Sequence, residues 1–179
     1  MRIISGKYKG KHIQPPRNFR ARPTTDFARV ALFNILANYF DFEEISVLDL
    51  FAGTGVIGYE FASRGCHNLT SVENHPVHAA FIRRMIRELA FEGFRLMERD
   101  VFSFLEHHQT KYDVIFCDPP YDMEGIGNLP DIILQHGLLN KEGILVVEHS
   151  GNISFAGHPG FFDERRYGKV HFSFFRVPE

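Results

Sequence analysis

The chain has 179 residues, 44% hydrophobic and 23% charged, an ordinary composition for a soluble globular protein able to bury a core. No apolar run approaches membrane-spanning length, the first five residues lack the apolar stretch of a signal peptide, and two cysteines, Cys66 and Cys117, are too few for a disulfide framework or a zinc site, so a cytoplasmic protein is expected. The net charge of −2 conceals a split: residues 1–30 carry eight Lys/Arg against Asp26 alone, giving +7, and the remaining 149 sum to −9. A basic arm on an acidic body points to a phosphate-rich partner met by the N-terminus.

Residues 1–22 read as a small β-hairpin and a basic arm. Arg2-Ile3-Ile4 and Lys11-His12-Ile13-Gln14 alternate about a Gly6–Gly10 turn, and Pro15-Pro16 ends the second strand. Tyr8, between two lysines, stacks on a base or packs on the domain; the sequence leaves both open. Thr24-Thr25-Asp26 supplies N-cap candidates for a helix to about Tyr39, with an apolar face that includes Val30, Leu32, Ile35 and Leu36. From Ile45, strand and helix alternate as in a parallel sheet of βαβ units. Strands are expected over 45–50, 68–72, 94–97, 112–117 and 143–148, and helices over 56–63, 75–91, 101–108 and 126–135. Residues 150–160 contain four Gly or Pro and no helical period, so the fifth helix of the unit is absent. The segments 162–166 and 171–177 then read as an antiparallel pair about Tyr167-Gly168-Lys169. The division expected is 1–22, basic hairpin and arm, and 23–179, an α/β body.

Val47-Leu48-Asp49-Leu50-Phe51-Ala52-Gly53-Thr54-Gly55-Val56-Ile57-Gly58 is a strand entering a glycine-rich turn and then a helix, a shape that lets a ligand approach the backbone. Alone it fits a dinucleotide nearly as well as S-adenosylmethionine. Glu73, at the end of the second strand, is placed for ribose hydroxyls in either case. Three features select adenosylmethionine. Asp49, just before the turn, repels a pyrophosphate but suits an ammonium. Asp100, after the third strand, is placed for an adenine amine. The fourth strand ends in Asp118-Pro119-Pro120-Tyr121. All these strand ends share one carboxyl edge of a parallel sheet.

Asp118-Pro119-Pro120-Tyr121 forms a stiff loop, because each proline fixes φ and lacks an N–H. It offers a carboxylate, the carbonyl of Pro119 and an aromatic face. Two acceptors on the hydrogens of an exocyclic base amine favour a more nucleophilic nitrogen, while the phenol ring stacks on the base. Asp118, Pro119 and Tyr121 are therefore the catalytic candidates. The ten histidines lack the spacing of a helix metal site, and methyl transfer from a sulfonium needs no metal.

The combination of Asp49 to Gly55 with Asp118 to Tyr121 resembles the S-adenosylmethionine-dependent amino-methyltransferases of the seven-stranded Rossmann-like class. More narrowly, Arg22-Pro23-Thr24-Thr25-Asp26, Ala31 to Leu36, Val147-Glu148-His149-Ser150, Tyr167-Gly168 and the opening Met1 to Gly6 resemble the bacterial 16S ribosomal RNA guanine-N2 methyltransferases of the RsmD type, over nearly the whole chain. The resemblance implies a mostly parallel seven-stranded sheet with an antiparallel C-terminal strand, a monomer, and 16S rRNA in the small subunit or an assembly intermediate as partner. By motif, the turn at Ala52, Gly53 and Gly55 would cradle the methionine end of the cofactor, Glu73 would take the ribose, and Asp100 with the Val101 amide the adenine; Asp49, Phe51, Asn74 and Asp118 are further candidate cofactor contacts, and Asp118 and Tyr121 would meet the guanine. Thr24, Thr25 and Arg29 either close over the cofactor carboxylate or, for the threonines, cap the helix. Arg2, Lys7, Tyr8, Lys9, Lys11, Arg20 and Arg22 are the candidate RNA contacts. The base and its position come from the resemblance and not from the motif. DNA adenine-N6 or cytosine-N4 methyltransferases share Asp-Pro-Pro-Tyr but usually carry a target-recognition insert, which is not evident here. A non-catalytic RNA-binding assembly factor is the alternative outside the class.

Overall fold

The computed structural model describes residues 1–19 and 24–179. Helix α1 (Asp26–Ala37) is followed by β1 (Ser46–Leu50), α2 (Val56–Ser63), β2 (Asn68–Glu73), α3 (Pro76–Glu88), β3 (Phe94–Glu98), α4 (Val101–His107), β4 (Tyr112–Cys117), α5 (Leu129–Gln135), β5 (Leu139–His149), β6 (Phe161–Tyr167) and β7 (Val170–Phe175). The strands form one seven-stranded sheet in the order β3-β2-β1-β4-β5-β7-β6. β1 to β5 pair in parallel, and β7 runs antiparallel to both β5 and β6. This is the Rossmann-like sheet expected from the sequence. Its order reverses between β1 and β4, which opens a crevice at the carboxyl edge.

Alternation along the strands sorts the core into two layers. Val47, Val114, Phe116, Ile144 and Val146 pack with α1, α2 and α3, whereas Leu48, Leu50, Ile115, Leu145 and Val147 pack with α4 and α5. Residues two apart share a face. Asp49, Asp118 and Glu148 continue the first series, so all three carboxyls belong to the α1–α2–α3 side.

Most element ends fall within three residues of expectation, and three differences go beyond that. β5 starts at Leu139, because Leu139 pairs with Tyr112 before a register shift in the ladder. The segment 126–135 splits into a 3₁₀ turn, Ile126–Asn128, and α5, which carries Pro130 in its first turn, where a missing N–H costs nothing. In place of two N-terminal strands there is one antiparallel bridge, Arg2 to His12. The main-chain bonds beside it are Ile3 N–H to Lys11 O (3.0 Å), Gly10 N–H to Ile3 O (2.8 Å) and Ile13 N–H to Met1 O (2.9 Å).

The arm is built into the body. Ile3 and Ile13 are each 1% exposed and join the core around α1 and α2. The amides of Ile4 and Ser5 donate to the Glu60 carboxylate on α2 at 2.8 and 3.0 Å, and those of Lys7 and Tyr8 to the carbonyl and hydroxyl of Ser63. Gly6, at φ +82°, lies so close to α2 that a Cβ would sit 1.9 Å from the Ser63 carbonyl oxygen. The division expected at residue 22 is thus a change of charge, not a break in the core. Residues 20–23, which hold that boundary, lie outside the described residues, as do the candidate contacts Arg20 and Arg22.

Arg29 and Glu60 are both fully buried. Arg29 Nη2 donates to the Arg2 carbonyl (2.8 Å) and to Asp26, and Nη1 lies 3.7 Å from Glu60. Arg64 Nε adds a bond to Glu60 at 3.0 Å. Arg29 is therefore committed to a network joining arm, α1 and α2, which replaces the expected closure over the cofactor. No helix among the described residues is long and apolar enough to cross a membrane.

Candidate active site

At the end of β1 the chain turns sharply. Phe51, Gly53 and Gly55 all have positive φ, at 58°, 55° and 80°. A non-glycine residue in that region is strained, and here the turn is held by bonds from Ala52 N–H to Val72 O (3.0 Å), Gly53 N–H to the Glu73 carboxylate (2.7 Å) and Gly55 N–H to Ala52 O (2.8 Å). A Cβ at Gly55 would meet the Tyr59 hydroxyl at 2.5 Å. Ala52 and Gly53 remain partly exposed at the crevice.

Asp49 sits beneath this turn, 1% exposed, with Ser71 Oγ donating to it at 3.2 Å. Burial pushes its carboxyl up to about 7 and the Glu73 charge adds to this, against the pull of Ser71 and the Gly58 amide. Its bonds face the β2–α2 packing. The structure thus gives Asp49 a supporting place under the turn rather than the expected open contact with a cofactor ammonium.

Glu73 accepts one amide on each oxygen, from Gly53 (2.7 Å) and His75 (2.8 Å). Each carboxylate oxygen has a second lone pair, which leaves capacity for two ribose hydroxyls. Asn74 and Asp100 are exposed beside it, and Val101 is buried in the α4 packing. Asp100 spends one oxygen on capping α4 through Ser103 N–H (3.0 Å), and the other makes no bond to protein among the described residues. The Phe51 and Phe102 rings meet edge to face across this end, with centroids 6.4 Å apart.

β4 delivers Asp118, whose amide extends the ladder to Leu50 O at 3.3 Å. Burial, then the charges of Glu148 and Asp49, pushes its carboxyl well above the usual carboxylate range. Pro119 is buried, and Tyr121 is 48% exposed with its hydroxyl donating to Glu148 at 3.3 Å. Glu148 is the site residue to which sequence reasoning gave no role. It is 4% exposed and also accepts from the Thr24 hydroxyl at 2.7 Å. Burial raises it to about 7, although both hydroxyls pull the other way. The one available signal was an acid ending a buried strand beside the strand that carries Asp118. Of the two threonines, Thr25 caps α1 through Ala28 N–H, whereas Thr24 belongs to this cluster.

The RNA candidates divide. Arg2, Lys7, Lys9 and Lys11 are exposed, although Arg2 pairs with Asp26 at 3.0 Å. Arg2 and Lys9 border a cavity of about 310 Å³ beside Phe27, which is 73% exposed. Tyr8 packs edge-on against Phe91, and its hydroxyl donates to the Leu89 carbonyl, so the packing alternative is the one the structure shows.

A family profile described as "Conserved hypothetical protein 95" matches residues 1–176. The chain is 30% identical over 148 residues to "Ribosomal RNA small subunit methyltransferase D" of Escherichia coli (strain K12), covering 83% of this chain and 74% of that one. Among solved structures it is similar to "Putative methyltransferase yhhF" from Escherichia coli, with a TM-score of 0.86 and 27% identity over 100% of this chain and 99% of that one. A likeness of fold alone extends to "A putative sam-dependent methyltransferase" from Streptococcus mutans, with a TM-score of 0.66 and 18% identity over 85% of this chain and 49% of that one.

Proposed function

Because the chain belongs to the family described as Conserved hypothetical protein 95, we propose that this ribosomal RNA methyltransferase methylates the exocyclic N2 amine of a guanine in 16S rRNA, using S-adenosylmethionine and acting as a monomer. The observation that carries this reading is the meeting, at one sheet edge, of the glycine turn with its Glu73 anchor and the Asp118–Tyr121 loop. The crevice fits the cofactor. The turn leaves Ala52 and Gly53 open, Glu73 has lone pairs to spare for the ribose, and Asp100 has a free oxygen for the adenine amine. When bound, S-adenosylmethionine supplies a methyl group on a sulfonium, a leaving group that departs as a neutral thioether.

The protein's own residues do the rest. The Asp118 carboxylate and the Pro119 carbonyl accept from the two amine hydrogens, so the nitrogen lone pair is turned toward the methyl carbon. The Tyr121 ring, exposed at the mouth, stacks on the flipped base. As the N–C bond forms, the nitrogen sheds one proton and Asp118 takes it. Arg2, Lys7, Lys9 and Lys11 give an otherwise acidic body a cationic approach for the RNA backbone.

Mass spectrometry of 16S rRNA from a deletion strain tests the reading. A single N2-methylguanine should disappear, and should return with the wild-type gene but not with Asp118→Ala. Loss of a methyl from DNA, or from no nucleic acid, would overturn it.

A further inference from the structure

β4 and β5 are parallel, with Cys117 opposite Val147. The next pair in that register is Asp118 and Glu148, on neighbouring strand ends about 4.8 Å apart and on the same face. The Asp118 carboxyl makes no hydrogen bond to protein among the described residues, whereas both Glu148 oxygens are engaged, Oε1 by the Tyr121 hydroxyl and Oε2 by that of Thr24. One carboxylate thus opens toward the crevice and the other stands behind it, tied to the ring that meets the base and to the segment entering α1.

We propose that Glu148 is a positioning residue for methyl transfer, fixing Tyr121 and Thr24 through its two oxygens and setting its charge beside the Asp118 carboxyl. The proposal rests on the methyltransferase reading above. Two carboxylates this close in a poorly solvated site do not both ionise readily. The groups facing Asp118 are Glu148 from β5 and Asp49 from β1, with the Cys117 thiol beside it and the Tyr121 hydroxyl beyond; among the described residues no cation offsets them. His149 points to the other face, bonded to Ser150 O and Ser173 Oγ. The two hydroxyls that donate to Glu148 favour its ionised form, so Asp118 is the one of the pair that holds its proton longer. Once it has lost that proton, Asp118 meets the amine as an ionised acceptor, and the Glu148 charge makes it a stronger proton acceptor than a solitary aspartate. When the nitrogen has bonded to the methyl carbon, its proton passes to Asp118, so a positive sulfonium and a negative carboxylate end as neutral thioether and neutral acid.

The test is a ¹³C NMR titration of the Asp118 carboxyl in the wild-type protein and in Glu148→Gln, which needs neither cofactor nor RNA. The Asp118 midpoint should fall by at least one pH unit in Glu148→Gln, because a neighbouring negative charge is gone. The acid limb of kcat for rRNA methylation should move down with it, and kcat on the plateau should drop about 10- to 100-fold with adenosylmethionine affinity within threefold. An unchanged Asp118 midpoint would overturn the proposal, whatever the substrate proves to be. Tyr121→Phe, which keeps the ring and removes the donor, is the second variant. It should lower kcat several-fold and raise the Glu148 midpoint, and no change in either would also overturn the proposal. A wild-type protein that binds adenosylmethionine but methylates no rRNA would count against the functional reading and leave the NMR result standing.

Discussion

Glu60 and Glu148 are both buried carboxylates on the same side of the sheet, and their surroundings are opposite. Glu60 receives two arm amides, the Arg64 guanidinium and the nearby charge of Arg29. Glu148 receives two hydroxyls and stands beside another carboxylate. A charge matched by cations and amides holds structure together, and breaking such a pair leaves its partner stranded. A charge set beside its like costs stability, and that cost is a usual mark of a functional site.

The comparison sets a scale of consequences. Asp118→Ala should show the largest effect, cutting methyl transfer by about 10²- to 10⁴-fold while thermal stability holds or rises. Calorimetry should find adenosylmethionine affinity within a few-fold, and a hundred-fold loss would place Asp118 in the cofactor site instead. Glu60→Ala should destabilise by about 3–5 kcal/mol, because Arg29 Nη1 loses the buried charge beside it and the Ile4 and Ser5 amides and Arg64 lose their acceptor; urea unfolding measures this, and a change under 1 kcal/mol would remove the contrast. Glu73→Ala gives up charge-assisted bonds and loosens Gly53, for a loss of roughly 2–3 kcal/mol, or about 30- to 150-fold in cofactor Kd. The smallest effect belongs to the arm. Changing Lys7, Lys9 and Lys11 together to Ala should leave stability and cofactor binding alone and flatten the log K against log salt slope by about 0.7 per lost phosphate contact. Equal slopes would mean that these lysines are only solvated. Deleting the arm is not an equivalent experiment, since it would expose core around α1 and strand Glu60.

The parallel sheet was legible because its strands are short apolar runs between helical periods, and the site edge followed from the strand ends. What escaped the sequence depends on contacts between distant residues. Glu148 reads as the tail of Val146-Val147-Glu148, and its partner Thr24 lies 124 positions away. Arg29 reads as a cation before the first strand, yet Asp26 one helical turn back and Glu60 on the next helix hold it inside. The arm read as an appendage because its charge sets it apart and a hairpin this small cannot hold a core of its own; Ile3 and Ile13 are core only because α1 and α2 complete the cluster.

Thermal unfolding of Glu148→Gln and Glu60→Gln at pH 5 and pH 8 tests the contrast directly. The folded-state value of Glu148 is about 7, raised above the unfolded 4.5, so the folded protein holds an extra proton in that window and loses stability as pH rises through it. The penalty is absent below about pH 4.5 and complete above about pH 7, and is on the order of 3 kcal/mol. Glu148→Gln removes it, so this variant should gain on wild type between pH 5 and pH 8 and match or exceed its Tm at pH 8, while kcat for methyl transfer falls about 10- to 100-fold. Glu60→Gln should fall below wild type at both. A Glu148→Gln protein that loses as much Tm as Glu60→Gln at pH 8 and still methylates rRNA at the wild-type rate would contradict the account.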